Sequence, residues 1–265
     1  MIELPPILVA NAPAPAAPSA NRPLSRSIYS PRTRTGYATF RLFHGEEPPT
    51  LSVKEQVTVA LAERIVEWRL PPGERIVEHL VAEEFGISKA PVSEALLVLE
   101  HLGLAESGPR RSAVVPAVNE ADFQALIQFR KALSTVTLPG FFARQRPNDR
   151  QTLREYGEEL EDVSGDDTRA FAFGELMDRS TTVYFALHCG NAHVARALCT
   201  LSLQLLRYAR LFTQTPKQRR SYLAKWREML HALEERSPEP FLRICEEFTE
   251  MRLADTSAAL RALKG

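Results

Sequence analysis

The apolar positions of this chain keep helical spacing over most of its length and lose it at one place. From Ser52 onward, Val53, Val57, Leu61 and Ile65 recur every four residues, which puts them on one face of a helix. That helix should stop at Leu70-Pro71-Pro72-Gly73, since proline cannot continue it and glycine accepts a positive φ. Leu80-Val81-Ala82-Glu83-Glu84-Phe85 follows as a short helix, with Ala82 small enough for a second helix to pass close by. Gly86 suits a tight turn, Ile87 should plug the core beneath it, and Ser88 is a good N-cap residue. Val92, Ala95, Leu96 and Leu99 then form the buried stripe of the next helix, where Pro91 is tolerated in the first turn. Two helices joined in this way through three or four residues cross steeply. After Gly103 the spacing changes: Leu104-Ala105-Glu106-Ser107 and Ala113-Val114-Val115-Pro116 read as two short strands flanking Gly108-Pro109-Arg110-Arg111.

Beyond Val118 the helical spacing returns, with breaks expected at Pro139-Gly140, Pro147-Asn148, Gly165-Asp166, Gly190-Asn191 and Pro238-Glu239-Pro240. That predicts six or seven helices and no strand. The expected fold class is mainly α, with a winged helix-turn-helix over residues 51–118 and an all-α helical bundle over 119–265. Residues 1–50 are rich in Pro, Ala and Ser and should be disordered, because they cannot bury enough apolar surface to offset their ordering entropy. They carry Arg22, Arg26, Arg32, Arg34 and Arg41, and positions 21–45 hold no acid. Such an arm is either a plain tail or one that touches DNA phosphates.

Composition changes the picture only by what it withholds. Lys+Arg and Asp+Glu number 33 each, so a nucleic-acid partner has to be argued from local charge. Cys189, Cys199 and Cys245 lie far apart and form no C-x-x-C pair, which fits a reducing compartment. No secretory signal and no apolar run of about 20 residues is visible, so a soluble, cytoplasmic protein without a membrane partner is expected. Glycine-rich phosphate loops, G-x-S-x-G and H-E-x-x-H are missing, and the acidic clusters Glu158-Glu159-Glu161-Asp162 and Glu246-Glu247 fall on solvent-facing positions. Catalysis is therefore not expected.

In a helix-turn-helix the second helix lies in the major groove with its N-terminal residues at base edges. Lys89, Ala90 and Ser93, with Glu94 beside them, are the exposed candidates there, and Arg110 and Arg111 would carry the wing tip to phosphate or the minor groove.

The run LPPGERIVEHLVAEEFGISKAPVSEALLVLEHLGLAESGPRR resembles the winged helix-turn-helix of GntR-type bacterial repressors. In that family a proline-glycine turn, a short helix, an S-R-T-P-V-R-E-A-L helix and a wing follow in this order. The all-helical region behind it is similar to the FCD-type effector domain of the FadR-like branch, and the resemblance extends from residue 52 to about 258. It implies a DNA-binding transcriptional regulator, a repressor, working as a homodimer on double-stranded palindromic operator DNA under control of a small-molecule effector. Two departures matter. Members carry arginines where Lys89 and Ser93 stand, and residues 50–118 hold seven basic and ten acidic side chains. Weaker or altered operator recognition is expected, with Arg110, Arg111 and Lys89 supplying most phosphate contact.

For the effector domain the resemblance implies an R-x-x-L-E element, here Arg130 and Leu133 with Ser134 in place of the glutamate. Arg130 is either a carboxylate partner for a ligand or one half of an interhelical salt bridge. The metal of many FadR-like domains, held by one Asp and three His, would fall on Asp178, Thr182, Trp226 and Phe248. An indole and a phenyl ring cannot ligate a transition metal and a hydroxyl is a poor zinc ligand, so no metal and no cofactor is expected. His188 and His193 read as surface or turn residues. The pocket is expected to have Tyr184, Trp226 and Phe248 as walls, with Arg130, Asp178, Thr182 and Arg207 as polar points. That suits a small organic acid or a longer acyl chain, unless Trp226 and Phe248 fill the space and nothing binds. A function of another class stays open: an interaction protein that pairs with an intact relative and no longer binds DNA itself.

Overall fold

The computed structural model describes residues 51–109 and 112–263, which divide into two compact units between Val118 and Asn119.

In the first unit, α1 (Val53–Val66) opens on a capping box, in which the Ser52 side chain accepts from the Glu55 amide and the Glu55 carboxylate accepts from the Ser52 amide at 2.8 Å. Val57, Leu61 and Ile65 are buried as the four-residue stripe predicts, whereas Val53 stays exposed in the first turn. The helix ends before the proline turn, because Trp68 takes a left-handed φ of 58° with its indole buried. That conformation costs about 1–2 kcal/mol for an L residue, which burial of the large ring offsets. The stop is thus set by packing and not by the prolines downstream. β1 (Arg75–Val77) leads into α2 (Glu78–Phe85), and Gly86 at φ 63° turns the chain into α3 (Lys89–His101). Ile87 is half-buried beneath the turn, and Ser88 holds the N-cap position with extended backbone but no capping bond from its side chain. β2 (Glu106–Gly108) and β3 (Ser112–Val114) form the predicted hairpin. β1 adds a third antiparallel strand on the far side of β3, with Ile76 opposite Ala113. Three residues are too few to show an alternation, so β1 was not readable from the sequence.

The second unit is entirely helical among the described residues. α4 (Glu120–Arg144) is followed by α5 (Pro147–Ser164), a 3-10 turn (Asp167–Arg169), α6 (Ala170–Asp178) and α7 (Tyr184–His188). A π-helical turn, Arg179–Val183, joins α6 to α7 without a break. α8 (Ala192–Leu206), the short α9 (Ala209–Phe212), α10 (Pro216–Glu234) and α11 (Pro238–Ala262) complete it. Pro147, Pro216 and Pro238 each occupy a first turn, where a missing N–H costs nothing. The break expected at Pro139-Gly140 does not occur; α4 runs through it. Pro139 is exposed, so solvent can satisfy the Thr135 carbonyl that loses its helical partner. Gly140 lets the helix approach the Cys189 carbonyl, which a Cβ would meet at 2.7 Å. α4 packs on α8 and α11, α5 on α10 and α6, and α10 on α11. Phe141 and Phe185 stack at 4.5 Å in the core between them.

Candidate functional site

Lys89 and Ala90 stand exposed in the first turn of α3, as a base-reading position requires. Ser93, one turn on, is half-buried, and its hydroxyl donates to the Glu78 carboxylate at 2.5 Å. Glu78 is buried in the first turn of α2, where the helix N-terminus favours a negative charge. The Ser93 proton is therefore engaged inside the helix-turn-helix. Glu94 faces Lys54 at 3.9 Å, an exposed pair of little energetic weight.

The hairpin is braced by a residue that sequence reasoning missed. The Arg75 guanidinium donates to the Ser112 hydroxyl and to the Pro109 carbonyl, both at 2.9 Å, while Ser112 itself donates to Pro109 at 2.7 Å. Gly108 permits this close pairing, since a Cβ there would lie 2.7 Å from the Ser112 hydroxyl. Arg110 and Arg111 lie outside the described residues; they connect Pro109 to Ser112 in the sequence. The only trace of Arg75 in the sequence was one arginine in a strand too short to recognise.

In the second unit a cavity of about 20 Å³ lies between α4, the π-turn, α8 and α11. A space of that size holds a single water, so the longer acyl chain allowed by the sequence does not fit it as it stands. Arg130, Ser134 and Thr137 of α4, Thr181 and Thr182 of the π-turn, and Cys245, Phe248 and Thr249 of α11 line it. The wide π-turn brings the adjacent Thr181 and Thr182 to the same cavity, and such turns cluster at functional positions. Arg130 is only 7 % exposed, and its guanidinium makes no hydrogen bond or ion pair with a described residue. A glutamate one turn along could pair with Arg130, but the Ser134 hydroxyl is turned onto the Arg130 carbonyl at 2.9 Å. Burial, then the nearby charge of Arg252, lowers the Arg130 pKa to about 10, against the pull of Asp178. Burial also pushes the Cys245 thiol up to about 12.

Asp178 is completely buried beside the cavity. Its carboxylate accepts from Thr182 at 3.3 Å, from the Ser202 hydroxyl and from Arg252 at 2.7 Å. Arg252 also donates to the Leu205 carbonyl at 3.2 Å and lies over the Phe212 ring, 4.8 Å from its centre. Arg252 thus takes up the charge of Asp178, and Arg130 stands near that pair without a hydrogen bond or ion pair of its own. Arg252 was not anticipated from the sequence, where it is one of three arginines on a long helix.

Of the expected pocket residues, Arg130, Thr182 and Phe248 line the cavity and Asp178 supports it. Tyr184, Trp226 and Arg207 do not line it. The Tyr184 hydroxyl donates to Asp149 of α5 at 2.8 Å, and burial together with that carboxylate holds its pKa far above the ordinary range. Trp226 is buried against Gly157 of α5, whose added Cβ would meet the indole nitrogen at 2.8 Å. Arg207 caps α8 with its guanidinium 5.9 Å from the Tyr208 ring centre. The cavity wall is hydroxyl-rich where aromatic rings were expected, because α10 turns its tryptophan toward α5. These residues do not fit the metal that the resemblance would place here. Both Asp178 oxygens are engaged, and no cluster of three His, Cys, Asp or Glu suited to a metal exists among the described residues.

Residues 53–115 match the pattern of the bacterial regulatory proteins of the gntR family, and residues 125–250 match the FCD domain. The chain belongs to the GntR family. It is a transcriptional regulator with an FCD domain behind its DNA-binding domain. A probable D-xylose utilization operon transcriptional repressor of Paenarthrobacter nicotinovorans is 28 % identical to this GntR regulator over 58 % of the chain and 67 % of the relative. The HTH-type transcriptional regulator McbR of Escherichia coli is 28 % identical over 42 % of the chain, a match that spans half of that relative. Among solved structures, E. coli McbR/YncC superposes with a TM-score of 0.67 at 20 % identity, covering 79 % of this chain and 99 % of that one. A GntR regulator from Rhodococcus sp. RHA1 gives 0.61 at 18 % identity, with 78 % and 99 % covered. At such identities the likeness speaks for the fold. No helix among the described residues is long and apolar enough to cross a membrane.

Proposed function

We propose that this GntR regulator acts in the cytoplasm as a homodimeric repressor on a palindromic operator, and that a small carboxylate held by Arg130 changes its affinity for DNA. The observation that carries the effector part is the buried, unpartnered Arg130 guanidinium facing a hydroxyl-lined cavity. A ligand shifts the DNA equilibrium only by its difference in affinity between the two states, and admitting anything larger than a water requires the surrounding helices to part. The word repressor in the name of the Paenarthrobacter relative supports the sign of regulation.

On the DNA side, Lys89 and Ala90 are assigned to base edges and Arg110 and Arg111 to phosphates, while Ser93, bound to Glu78, adds little. A gel shift on the chain's own upstream DNA at about 50 and 200 mM salt tests this. Specific, salt-sensitive binding is expected. Arg110→Ala/Arg111→Ala should flatten the logarithmic salt slope by about two per subunit, and Arg75→Ala should weaken binding less, by loosening the hairpin. Failure of the unaltered protein to shift any fragment at low salt would favour the interaction-protein alternative.

The dimer is assigned to the outer face of α4. Phe129 and Val136, two turns apart, are 51 % and 48 % exposed, and Phe129 borders an open groove of about 350 Å³ shared with Ala197 and Leu201 of α8. A second copy is the occupant that a palindrome calls for. Phe129→Glu should convert the dimer to a monomer in sedimentation velocity at micromolar concentration. A dimer of undiminished affinity would remove this face from the interface.

A further inference from the structure

We propose that Arg252 takes the place of a bound divalent cation in this FCD domain, so that the domain is assembled, and takes its anion, without metal. The inference rests on the effector reading of the Arg130 cavity. A cation at the meeting point of several helices supplies positive charge to a buried carboxylate and ties the helices to one another. Arg252 does both. From α11 its Nη1 reaches Asp178 at the end of α6 at 2.7 Å, and its Nη2 reaches the Leu205 carbonyl of α8 at 3.2 Å. The Phe212 ring of α9 covers its face. Ser202 and Thr182 complete the shell around Asp178, so the carboxylate is held by donors only.

A guanidinium differs from a metal in one respect that bears on the ligand. A metal with an open coordination position would offer it directly to an incoming oxygen. Arg252 does not line the cavity, so recognition of the ligand passes to Arg130. The two arginines divide the work: Arg252 neutralises Asp178, and Arg130 remains as the charge available to an anion. One unmatched positive charge implies a monoanion, such as a monocarboxylate. The hydroxyls of Thr181, Thr182 and Thr249 line the same cavity, with their protons given to the Met177 carbonyl, to Asp178 and to the Cys245 carbonyl, so the charge of Arg130 carries the recognition.

The test uses the full chain, treated with EDTA and dialysed, followed by thermal unfolding with zinc chloride, with nickel chloride, and with acetate or lactate as carboxylate probes. Neither metal should raise Tm by more than about 1 °C, because only a species that binds the folded state stabilises it. Any shift given by acetate or lactate should be the same with and without EDTA. In a double-mutant cycle, Arg252→Gln and Asp178→Asn should each lower Tm by several degrees, and the double variant should recover more than half of the Arg252→Gln loss. Stoichiometric zinc or nickel binding by the unaltered protein, lost in Asp178→Asn, would overturn the proposal without any variant of Arg252 needing to fold. So would additive losses in the cycle. If neither carboxylate binds with or without metal while the metals also fail to bind, the effector reading falls and the assignment of Arg252 stands.

Discussion

Replacing Arg130 by methionine should abolish the response to small carboxylates and at the same time raise the stability of the protein. The two halves of this expectation share one cause. A guanidinium taken out of water without a partner carries a desolvation penalty of several kcal/mol, and Arg130 has 7 % exposure and no described hydrogen-bond acceptor. Methionine is of similar length and flexible enough to fill an irregular space, so the substitution removes the penalty and adds dispersion contacts with Leu138, Leu198 and Phe248. It also removes the repulsion between Arg130 and Arg252. A gain of about 1–3 kcal/mol in urea unfolding is expected, on the scale known for replacing buried charges by apolar groups. Ligand binding should fall by more than about a hundredfold, since charge-assisted hydrogen bonds contribute about 1.5–3 kcal/mol each. Calorimetric titration with lactate measures the second effect. If the variant is instead destabilised by 2 kcal/mol or more, Arg130 is a structural residue and the effector reading loses the observation that carries it.

The contrast between what was legible and what was not follows the range of the interactions involved. The helix-turn-helix could be read because its determinants are local: Gly86 for the left-handed turn, and Val92, Ala95, Leu96 and Leu99 for the stripe are all close in sequence and all sit as their chemistry demands. The breaks at Pro147, Gly165, Gly190 and Pro238 were legible for the same reason. Where packing decides, the sequence was silent or misleading. Trp68 stops α1 through its buried ring, Pro139 is carried inside α4, and the breaks on either side of α9 have no glycine to mark them. The cavity shows the limit most clearly. Thr182 meets Asp178 and lines one cavity with Phe248, but Trp226 is turned to α5, and the guanidinium that meets Asp178 lies 74 positions away in sequence. A charge partner at that separation has no periodicity to announce it.

Arg219→Ala is expected to be the most destabilising single change in the second unit, for a reason of the same long-range kind. Arg219 is entirely buried in the first turns of α10, yet each of its three donor directions is used. Nε donates to the Ser164 carbonyl at the end of α5 at 2.7 Å, Nη1 to the Thr213 carbonyl after α9 at 2.8 Å, and Nη2 to Asp167 in the 3-10 turn. One planar group thus ties together two junctions, α5 to α6 and α9 to α10, at three points. Truncation would leave two carbonyls without donors, one of them on the fully buried Thr213, and open a cavity the size of the side chain. Asp167 contributes less, because its side chain is 66 % exposed and water can take over its solvation. The sum of lost carbonyl partners and lost packing points to about 3–5 kcal/mol, or a fall in Tm of about 10 °C for a unit of this size. Lysine keeps the charge but has one donor point where the guanidinium has a fork, so Arg219→Lys should restore less than half. A loss below about 1 kcal/mol on Arg219→Ala would mean that the three segments hold their geometry without the guanidinium, and that α5 and α9 are fixed by their apolar faces alone.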